Sequence, residues 1–520
     1  MNGYAIRTLA LAEARLRLRR LSTLIVLLAV VAVSWTMIPD PAGGSTLISM
    51  GGARVRYTSS ALALGSAALA SLLFGLAGFY LLRGRMAEDL RAGLGGVIGA
   101  SPAGNLVVIL GRWCGGVLYL LALAGTFMLT ILACHLLRGE GPIEPLVYLQ
   151  TYALVLVPLV LFAAGCAVLF DGWAPLMGKG GDVLYFFMWI GQIALMARAA
   201  EGGGPAAIPV DFGGLSAVMT VLAAYGDMHD TMVGIASFDR TLAPLTLPSW
   251  TWSAGLAAVR CGAALLALLP LLLAVPLFHR YSPDRVKPGR ARARRSPLAL
   301  VNGWLRPLAR LAQPLFALAA RLPGCAGQAL ADVALTLASA PAAIALLLAA
   351  QVAALAVDTA RLPALALGCV ACWGILAAEL STRDRDAACD AMGAVVPGGA
   401  VRRYWRQLAA ALLLGLMFGG VAALRLAFVD PLRVAALLGG VSTLAALAAL
   451  LGRTSGTART FLALFLFGLY VSINAHDVPR LDIVGFHGVA TAGSVLEWLA
   501  VGAAAAWAGH AWNRRRAAGP

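Results

Sequence analysis

Residues that could do chemistry are few and scattered in this sequence. Cys369 and Cys372 form a CxxC, a spacing that can mark a zinc site or a redox pair in a soluble protein. Both lie inside the apolar stretch LPALALGCVACWGILAAEL, with no histidine or second cysteine pair beside them. We interpret them as small packing residues, and we predict neither a metal site nor a cofactor.

The string nearest to a phosphate-binding loop is GWAPLMGKGG, residues 172–181. A Walker A loop needs GxxxxGK followed by Ser or Thr, opening a helix after a strand. Here the spacing differs, and Gly180 stands where the hydroxyl residue should be. The six histidines do not occur at ligand spacing, and the acids form no pair within one apolar run. The sequence therefore predicts no enzyme active site, and any ATP must be bound by another chain.

The elements that would position functional residues are long and apolar. The 520 residues are 60% hydrophobic and 12% charged, whereas a soluble domain is about a quarter charged. Runs of about 20 apolar residues cross a hydrocarbon core of about 30 Å as helices. The net charge of +16 invites a nucleic-acid interpretation. However, the basic residues fall in blocks beside apolar runs, as in cytoplasmic loops, so we predict no nucleic-acid partner.

We predict an all-α polytopic membrane protein with about twelve transmembrane helices in two six-helix halves. The first six spans are predicted at 22–38, 59–82, 106–137, 146–170, 183–199 and 254–278. The second six are predicted at 332–357, 362–380, 405–428, 432–452, 457–475 and 489–512. The corresponding domains are a first half at 1–280, a basic cytoplasmic linker and surface helix at 281–330, and a second half at 331–520. Further surface helices are predicted at 4–21 and at 213–225, the latter within an outer loop.

Four polar residues lie within or at the edges of predicted spans: Gln150, Arg260, Arg425 and Glu497. An ionisable group at membrane depth is costly and suggests a function. Arg260 and Arg425 are expected near outer ends, from which their side chains can extend to headgroups. Gln150 could bond to a neighbouring helix. Glu497 is expected to be the most buried of the four, and we predict that Glu497 and Gln150 line a translocation path.

Two polar loops occupy equivalent places in the two halves. RMAEDLRAGLGGVIGASPAGN, residues 85–105, follows the second span of the first half, and RDRDAACDAMGAVVPGGAVRRYWRQ, residues 383–407, follows the second span of the other. When 99–113 is laid over 394–408 without gaps, Pro102 falls on Pro397 and Gly104 falls on Gly399. We interpret this as an internal duplication.

With these loops in place, the chain resembles the membrane subunit of ATP-binding-cassette transporters of the ABC type-2 permease kind, in a fused two-half form. The resemblance rests on the basic segment before the first span and on EDLRAGLGGVIGASPAGNLVVILGRW after the second. It also rests on the outer insertion 200–253 and on FHRYSPDR after the sixth span. It implies an exporter permease that uses ATP hydrolysed by a separate ATPase subunit, bound in two copies.

In that family the first cytoplasmic loop is a coupling helix that fits a groove on the ATPase. The resemblance assigns this role to residues 85–102 and, through the duplication, to residues 383–397. The candidate coupling residues are Arg85, Glu88, Asp89, Arg91, Ser101, Pro102, Arg383, Asp384, Asp386, Asp390 and Pro397. The second half departs from the pattern because its acids are placed differently and its outer loop 476–488 is short. One half is therefore expected to couple or gate differently.

Two alternative functions remain open at the level of sequence. An ion-coupled secondary transporter would carry Gly/Pro-broken half-helices and buried carboxylates at mid-membrane, and only Glu497 suggests such a carboxylate. A membrane-embedded lipid-modifying enzyme would need clustered His, Asp or Glu at one membrane face.

The distribution of Arg and Lys predicts that both termini and the 280–330 linker face the cytoplasm, in a bacterial-type cytoplasmic membrane. In a cysteine-free background, Arg290→Cys should be protected from a membrane-impermeant maleimide in intact cells. Asp230→Cys, on the opposite side, should be labelled. Labelling of position 290 from outside would contradict this topology.

Overall fold

The computed structural model describes residues 2–201, 208–226, 230–249, 251–278, 297–387, 389, 399–474 and 478–517. The protein is 77% helical. Among the described residues, seven helices are long and apolar enough to cross a membrane, or eight if one bent pair counts as a single span. The prediction of an all-α polytopic membrane protein is confirmed at this level. The chain divides into two compact units, Met1–Ser296 and Pro297–Pro520.

The first unit begins with a helix, α1, where the surface helix 4–21 is predicted; its place on the membrane surface stays a prediction. Its helices are α1 (Asn2–Leu18), α2 (Leu21–Thr36), α3 (Ser59–Leu82), α4 (Arg85–Arg91), α5 (Leu94–Ala100), α6 (Asn105–Arg138), α7 (Pro145–Gly172), α8 (Lys179–Glu201), α9 (Leu215–Leu222), α10 (Ala254–Leu266) and α11 (Leu269–Leu277). The helix predicted within 213–225 is confirmed as α9. Its side chains Ala217, Val218 and Leu222 are fully buried.

Successive long helices of the first unit run in opposite directions, as the contacts at their ends show. At one end, the start of α3 meets the chain just before α7, where the Ser59 hydroxyl donates to the Pro142 carbonyl at 2.9 Å. The end of α6 meets the end of α2 there, with the Arg138 guanidinium 4.8 Å from the Trp35 ring. At the other end, Arg17 in the last turn of α1 donates to the Leu81 carbonyl at 3.0 Å. We call these the sheet end and the charge end of the unit.

A small antiparallel sheet, which the sequence analysis missed, gives the sheet end its name. Its strands are β1 (Ser45–Met50), β2 (Ala53–Arg54) and β3 (Thr231–Ser237), in the order β2-β1-β3. Gly51 and Gly52 join β1 to β2 with φ values of 55° and 78°. A two-residue hairpin of type I′ needs positive φ at both central residues, and glycine adopts this conformation readily. The Gly-Gly pair after an apolar run was the available signal.

The second unit is built from helices of similar length and order. They are α12 (Pro297–Trp304), α13 (Gln313–Arg321), α14 (Gly324–Ser339), α15 (Pro341–Ala356), α16 (Leu362–Leu380), α17 (Arg383–Asp386), α18 (Gly399–Ala427), α19 (Pro431–Ser455), α20 (Ala458–Asn474) and α21 (Ala492–Ala517). A 3-10 helix, Arg306–Ala312, joins α12 to α13. The surface helix predicted within the 281–330 segment thus falls on α13 and the start of α14.

The span predicted over 332–357 is wrong in its first third, because α14 and α15 meet at 102°. Proline lacks an N–H and disfavours the α conformation at the preceding residue. Ala340, before Pro341, accordingly adopts φ −129° and ψ 75°. Residues 332–339 therefore belong to a helix that runs nearly perpendicular to α15.

The helices of the second unit also alternate in direction. Near the end of α18, Arg425 donates to the carbonyls of Ala354 and Val357, which lie at the end of α15, at 2.6 and 2.7 Å. Arg138 makes the same kind of bond in the first unit, to the Ile38 carbonyl beyond α2. The last carbonyls of a helix lack intrahelical partners. In each unit an arginine from the third long helix donates to a carbonyl at or just beyond the end of a neighbouring helix.

The two units repeat one packing scheme. The pairs α1–α6, α2–α6, α3–α7 and α6–α7 pack together in the first unit, and the pairs α14–α18, α15–α18, α16–α19 and α18–α19 pack in the second. The helices α7 and α19 also start alike, with Glu144–Pro145 and Asp430–Pro431. Equivalent helices therefore meet equivalent neighbours, as a duplication would produce.

The close packing of α1 on α6 depends on glycine. A Cβ at Gly115 would lie 2.6 Å from the Glu13 Cβ and 2.9 Å from the Ala10 carbonyl oxygen, whereas a Cβ at Gly125 would meet nothing within 4 Å. We expect Gly115→Val to destabilise the protein by about 1–3 kcal/mol through overpacking. Gly125→Val, on the same helix, is the matched control and should leave the thermal unfolding midpoint in detergent nearly unchanged. Equal midpoints for the two variants would contradict this packing.

Candidate functional site

The turn between α3 and α4 fixes the geometry of the charge end. Gly84 has φ 90°, a conformation that favours glycine. Its N–H donates to the two carboxylate oxygens of Asp171, at 3.1 and 2.8 Å. A side chain at this position would strain the turn, so glycine allows the backbone to approach the end of α7 while α4 starts in a new direction.

Arg83, beside this glycine, joins the ends of three long helices. Its guanidinium pairs with Asp171 at the end of α7 and with Asp182 at the start of α8, the latter at 2.9 Å. It also lies 5.5 Å from the Phe79 ring centroid and 5.8 Å from that of Phe170. The buried cation is therefore compensated by two carboxylates and two aromatic faces, as a buried charge requires.

A group of charged residues ties α4 to α1 and α6, and we call it the first charge cluster. Its members are Glu13, Arg17, Arg20, Arg85, Glu88, Asp89 and Arg112. Arg85 reaches Glu13 at 3.1 Å and Asp89 at 3.3 Å, and Asp89 pairs with Arg112 of α6. Glu13 also pairs with Arg17 at 2.8 Å. The short helix α4 is thereby bound to both neighbours through alternating charges.

The outer edge of this cluster is the pair between Arg20 and Glu88, at 2.6 Å. Burial raises the pKa of Glu88, but the hydrogen bond and charge of Arg20 outweigh burial, so the pKa is lowered overall. A lowered carboxyl pKa stabilises the fold above the ordinary pKa of glutamate and loses that contribution as pH falls through the lowered value. Near neutral pH Glu88 is therefore ionised and holds Arg20.

The second unit carries a corresponding second charge cluster. Its members are Asp332, Arg383, Asp384, Arg403 and Arg406. Arg406 of α18 pairs with Asp332 of α14 at 2.8 Å and with Asp384 of α17 at 3.1 Å. Arg383 donates to the Asp332 carbonyl at 3.2 Å and to the Thr336 hydroxyl at 2.5 Å. Charges again connect three elements. These are α14 before the first apolar helix, the short helix α17 after the second, and the third long helix, α18.

The clusters differ at the residue that follows the second apolar helix of each unit. Arg83 and its two aspartates occupy this place in the first unit. In the second unit Ser381 stands there and donates to the Ala448 carbonyl at 3.2 Å. The expectation that the second half departs from the first thus has a structural counterpart in the loss of a buried arginine.

The residues predicted to form the first coupling loop fall into two groups, those that belong to the charge cluster and those that lie at the ends of α4 and α5. Asp89 is only 3% exposed and, with Arg85, belongs to the charge cluster, whereas Glu88 is half-exposed. Arg91 is the last residue of α4. Ser101 ends α5, where its hydroxyl donates to the Ile98 carbonyl at 2.8 Å, and Pro102 beside it is exposed.

The sequence analysis missed the apolar face of α5. Leu94 and Val97 are both exposed, Val97 to 68%. Gly93, with φ 73°, separates α5 from the anchored α4. The i, i+3 spacing of Leu94 and Val97 was the signal that could have identified this face.

In the second predicted loop, Arg383 and Asp384 belong to the second charge cluster. Asp386, which ends α17, is exposed. Asp390 and Pro397 lie outside the described residues.

Glu497 is not the most buried of the four span residues, contrary to expectation. Its side chain is 54% exposed and pairs at 2.9 Å with Arg480, which is 75% exposed. It lies in the second turn of α21, so the loop before that helix can reach it. Gln150 is half-buried, near the start of α7. Their role in a translocation path stays a prediction.

Arg260 is the buried member of the set, at 1% exposure, so the expectation that it extends to headgroups is wrong. It donates to the carbonyls of Leu154 at 2.9 Å and Val155 at 3.2 Å on α7. Pro158 has no N–H, so the Leu154 carbonyl four residues earlier lacks its helical partner. Arg260 supplies that missing donor.

The same arginine holds a segment that reaches deep between the helices. It donates to the carbonyls of Asp211 and Phe212, the latter at 2.8 Å. The Phe212 ring stacks on Phe162 of α7 with centroids 4.2 Å apart, and a Cβ at Gly213 would lie 3.6 Å from the Ser71 hydroxyl. Ser71 is at the midpoint of α3, about 18 Å from its start at 1.5 Å per residue. The segment before α9 is therefore re-entrant, a depth that was not predicted.

The start of α9 is capped internally at this depth. The two Asp211 carboxylate oxygens accept the N–H groups of Gly214 at 2.9 Å and Ser216 at 2.7 Å. These are donors that a helix start leaves unsatisfied. Asp211 is therefore occupied by its own backbone.

Within the described part of the chain, no group of three or more His, Cys, Asp or Glu side chains could hold a metal ion. Comparison of the chain with protein-family models, with curated proteins and with solved structures finds no match.

The bonding of Arg260 predicts a large effect of its removal. Arg260→Met should leave the carbonyls of Leu154, Asp211 and Phe212 buried without donors, at about 1–3 kcal/mol for each group. Cys261→Met, at the next and exposed position of α10, is the matched control. We expect only Arg260→Met to lower the thermal midpoint and to expose residues 208–253 to proteolysis. Unchanged proteolysis would show that Arg260 does not hold the segment.

Proposed function

We propose that this chain is the membrane permease of an ABC exporter, with two six-span halves in one polypeptide. A separate ATPase subunit, bound in two copies, would hydrolyse the ATP, and the chain would move a substrate across the cytoplasmic membrane. The observation that carries the proposal is the repetition of the charge cluster. In both units it anchors the short helix that follows the second apolar helix.

The proposed twelve spans extend the helices that meet the length and hydropathy requirements for crossing. Seven long helices, α15 from the bent pair α14–α15, three shorter apolar helices within α2, α8 and α20, and the helix α21 make twelve. The alternating directions of these helices within each unit support this assignment. The basic residues beside the first and second charge clusters support a cytoplasmic position for the ends of the units that carry these clusters.

A coupling element must pass on force instead of bending under it. Salt bridges hold α4 to Glu13 of α1, to Arg20 in the turn after α1 and to Arg112 of α6. Displacement of α4 would therefore move α1 and α6 with it, and α6 runs 34 residues to the opposite end of the unit. In the second unit Arg406 joins α17, α14 and α18 in the same way. This linkage supports a route from a cytoplasmic partner to the outer side.

The part of the loop free to contact a partner is α5. Glu88 and Asp89 bond within the chain, whereas Leu94 and Val97 present apolar side chains outward. Aliphatic side chains on a short helix fit a hydrophobic groove of a second protein. We therefore place the ATPase contact of the first half on α5, with α4 as its rigid base.

The runner-up is an ion-coupled secondary transporter, and one observation favours it. Transporters of this class carry half-helices that end at mid-membrane, and α9 begins near the midpoint of α3. A coupling carboxylate must be able to release and accept a cation. Both Asp211 oxygens are instead occupied by backbone N–H groups, which favours the ABC proposal. A lipid-modifying enzyme has no comparable support among the described residues.

The proposal is tested by the ATPase that co-purifies with the tagged chain from its native membrane. We expect a complex of one permease chain and two ATPase chains by native mass spectrometry. We expect Val97→Asp to weaken binding of the ATPase copy on the first half about tenfold, which corresponds to about 1.4 kcal/mol, and to leave the copy on the second half bound.

The matched control is Ile235→Asp, an exposed apolar residue of β3 at the sheet end, which should retain the ATPase. Transport in inverted vesicles should require ATP and should persist with a protonophore. Transport abolished by the protonophore and independent of ATP would instead establish the secondary transporter.

A further inference from the structure

The second unit begins with an apolar surface that no described part of the chain covers. It comprises α12, the following 3-10 helix and α13, and we call residues 297–322 the entry segment. Trp304 is 82% exposed, and Leu300, Leu311, Phe316 and Leu318 are exposed as well. None of its helices exceeds nine residues, or about 14 Å at 1.5 Å per residue. The entry segment is therefore too short in each piece to cross a bilayer.

The charge of the entry segment indicates whether a membrane or another protein covers this apolar surface. The entry segment holds Arg306, Arg310 and Arg321, and it contains no aspartate or glutamate. All three arginines are exposed. Exposed leucine and aromatic side chains interspersed with uncompensated arginines are typical of helices that lie in the interface of an anionic membrane. A protein groove for the same surface would need acids to match the arginines, whereas a bilayer offers acyl chains and phosphates together.

The position of the entry segment within the unit also indicates that a membrane covers it. The Asn302 side-chain oxygen accepts the N–H of Ala342 at 2.9 Å. This bond holds α12 at the first turn of α15, where an apolar helix begins. The helix α13 packs on α14, which runs at 102° to α15. A helix perpendicular to a membrane-entering helix lies along the membrane surface, so the entry segment sits at headgroup level.

We propose that the entry segment is an interfacial anchor that inserts Trp304 into the headgroup region of an anionic leaflet. Its arginines bind the lipid phosphates, and its leucine and phenylalanine side chains enter the adjoining acyl layer. Tryptophan is enriched at this depth because its ring is amphipathic. The anchor would hold α14, and with it Asp332 of the second charge cluster, at a fixed height in the membrane. This inference requires only that the chain is a membrane protein and not that it is a permease.

The test uses the full chain in nanodiscs whose lipids carry bromine either near the headgroup or deep in the acyl chains. The fluorescence of Trp304 is the difference between the unaltered chain and Trp304→Phe. We expect bromine near the headgroup to remove most of this signal, and deep bromine to remove little. Trp507, 72% exposed at the centre of α21, is the matched control. Its difference signal, from Trp507→Phe, should be quenched mainly by deep bromine.

Charge is tested by changing Arg306, Arg310 and Arg321 to Gln together. In nanodiscs that contain phosphatidylglycerol, the unaltered chain should show stronger shallow quenching of Trp304 than in pure phosphatidylcholine. The triple variant should lose this difference while its Trp507 signal stays unchanged, which also shows that the chain is folded. Quenching of Trp304 by aqueous iodide instead of brominated lipid would overturn the anchor. Protection from both quenchers would identify a protein surface as the occupant and would overturn it equally.

Discussion

The guanidinium groups of Arg112 and Arg406 constrain how each unit is built. Each projects from the first turns of a long apolar helix, where a charge taken out of water must be paired. Arg112 pairs with Asp89, and Arg406 pairs with Asp332 and Asp384. Because Asp332 and Asp384 come from separate helices, neutralising Arg406 brings a preceding helix and a short helix to the same place. Removing one partner would leave a buried charge uncompensated, at about 3–5 kcal/mol, so the arrangement holds together or fails as a whole.

The same requirement governs backbone carbonyls away from the clusters. Arg138 supplies a donor to the Ile38 carbonyl just beyond α2, and Arg425 supplies one to the Ala354 carbonyl in the last turn of α15. Arg260 supplies one where Pro158 interrupts α7. In each case a long side chain from one helix satisfies a carbonyl that another helix cannot, which matters more where water is absent. Arginines inside this membrane protein thus mark points at which the helical hydrogen-bond pattern ends.

How much of this could be predicted depends on the range of the interactions. Hydropathy is local, so the long helices α3, α6 and α7 were located within a few residues. Gly111 and Gly115, four residues apart in the sequence, both lie against α1. The two loops were found because their sequences recur at equivalent places. Their internal ion pairs were not predicted, because Asp89 and Arg112 meet only after α3 and α6 have packed.

The failures have equally physical causes. Arg260 was expected at headgroups because its sequence position near the start of a span says nothing about the re-entrant segment beside it. Glu497 was expected to be buried because it stands in an apolar run, yet Arg480 from the preceding loop pairs with it. The bend at Pro341 separates two apolar stretches that hydropathy alone joins. In each case the deciding neighbour lies on another element.

The two units are alike around their charge clusters and differ elsewhere. The sheet, the re-entrant segment and the hydrogen bonds of Arg260 occur in the described part of the first unit, while 478–491 are the described residues between α20 and α21 in the second. Under the proposed function, ATP-driven force would enter both halves through similar clusters. The opposite ends would then respond unequally, because Arg260 and Asp211 fix a re-entrant segment between α3 and α7 in the first unit, and the described residues of the second unit show no counterpart. An exporter built this way would couple symmetrically and gate asymmetrically. The place to look for the gate is the contact of Phe212 with Phe162, where the re-entrant segment meets the middle of α7.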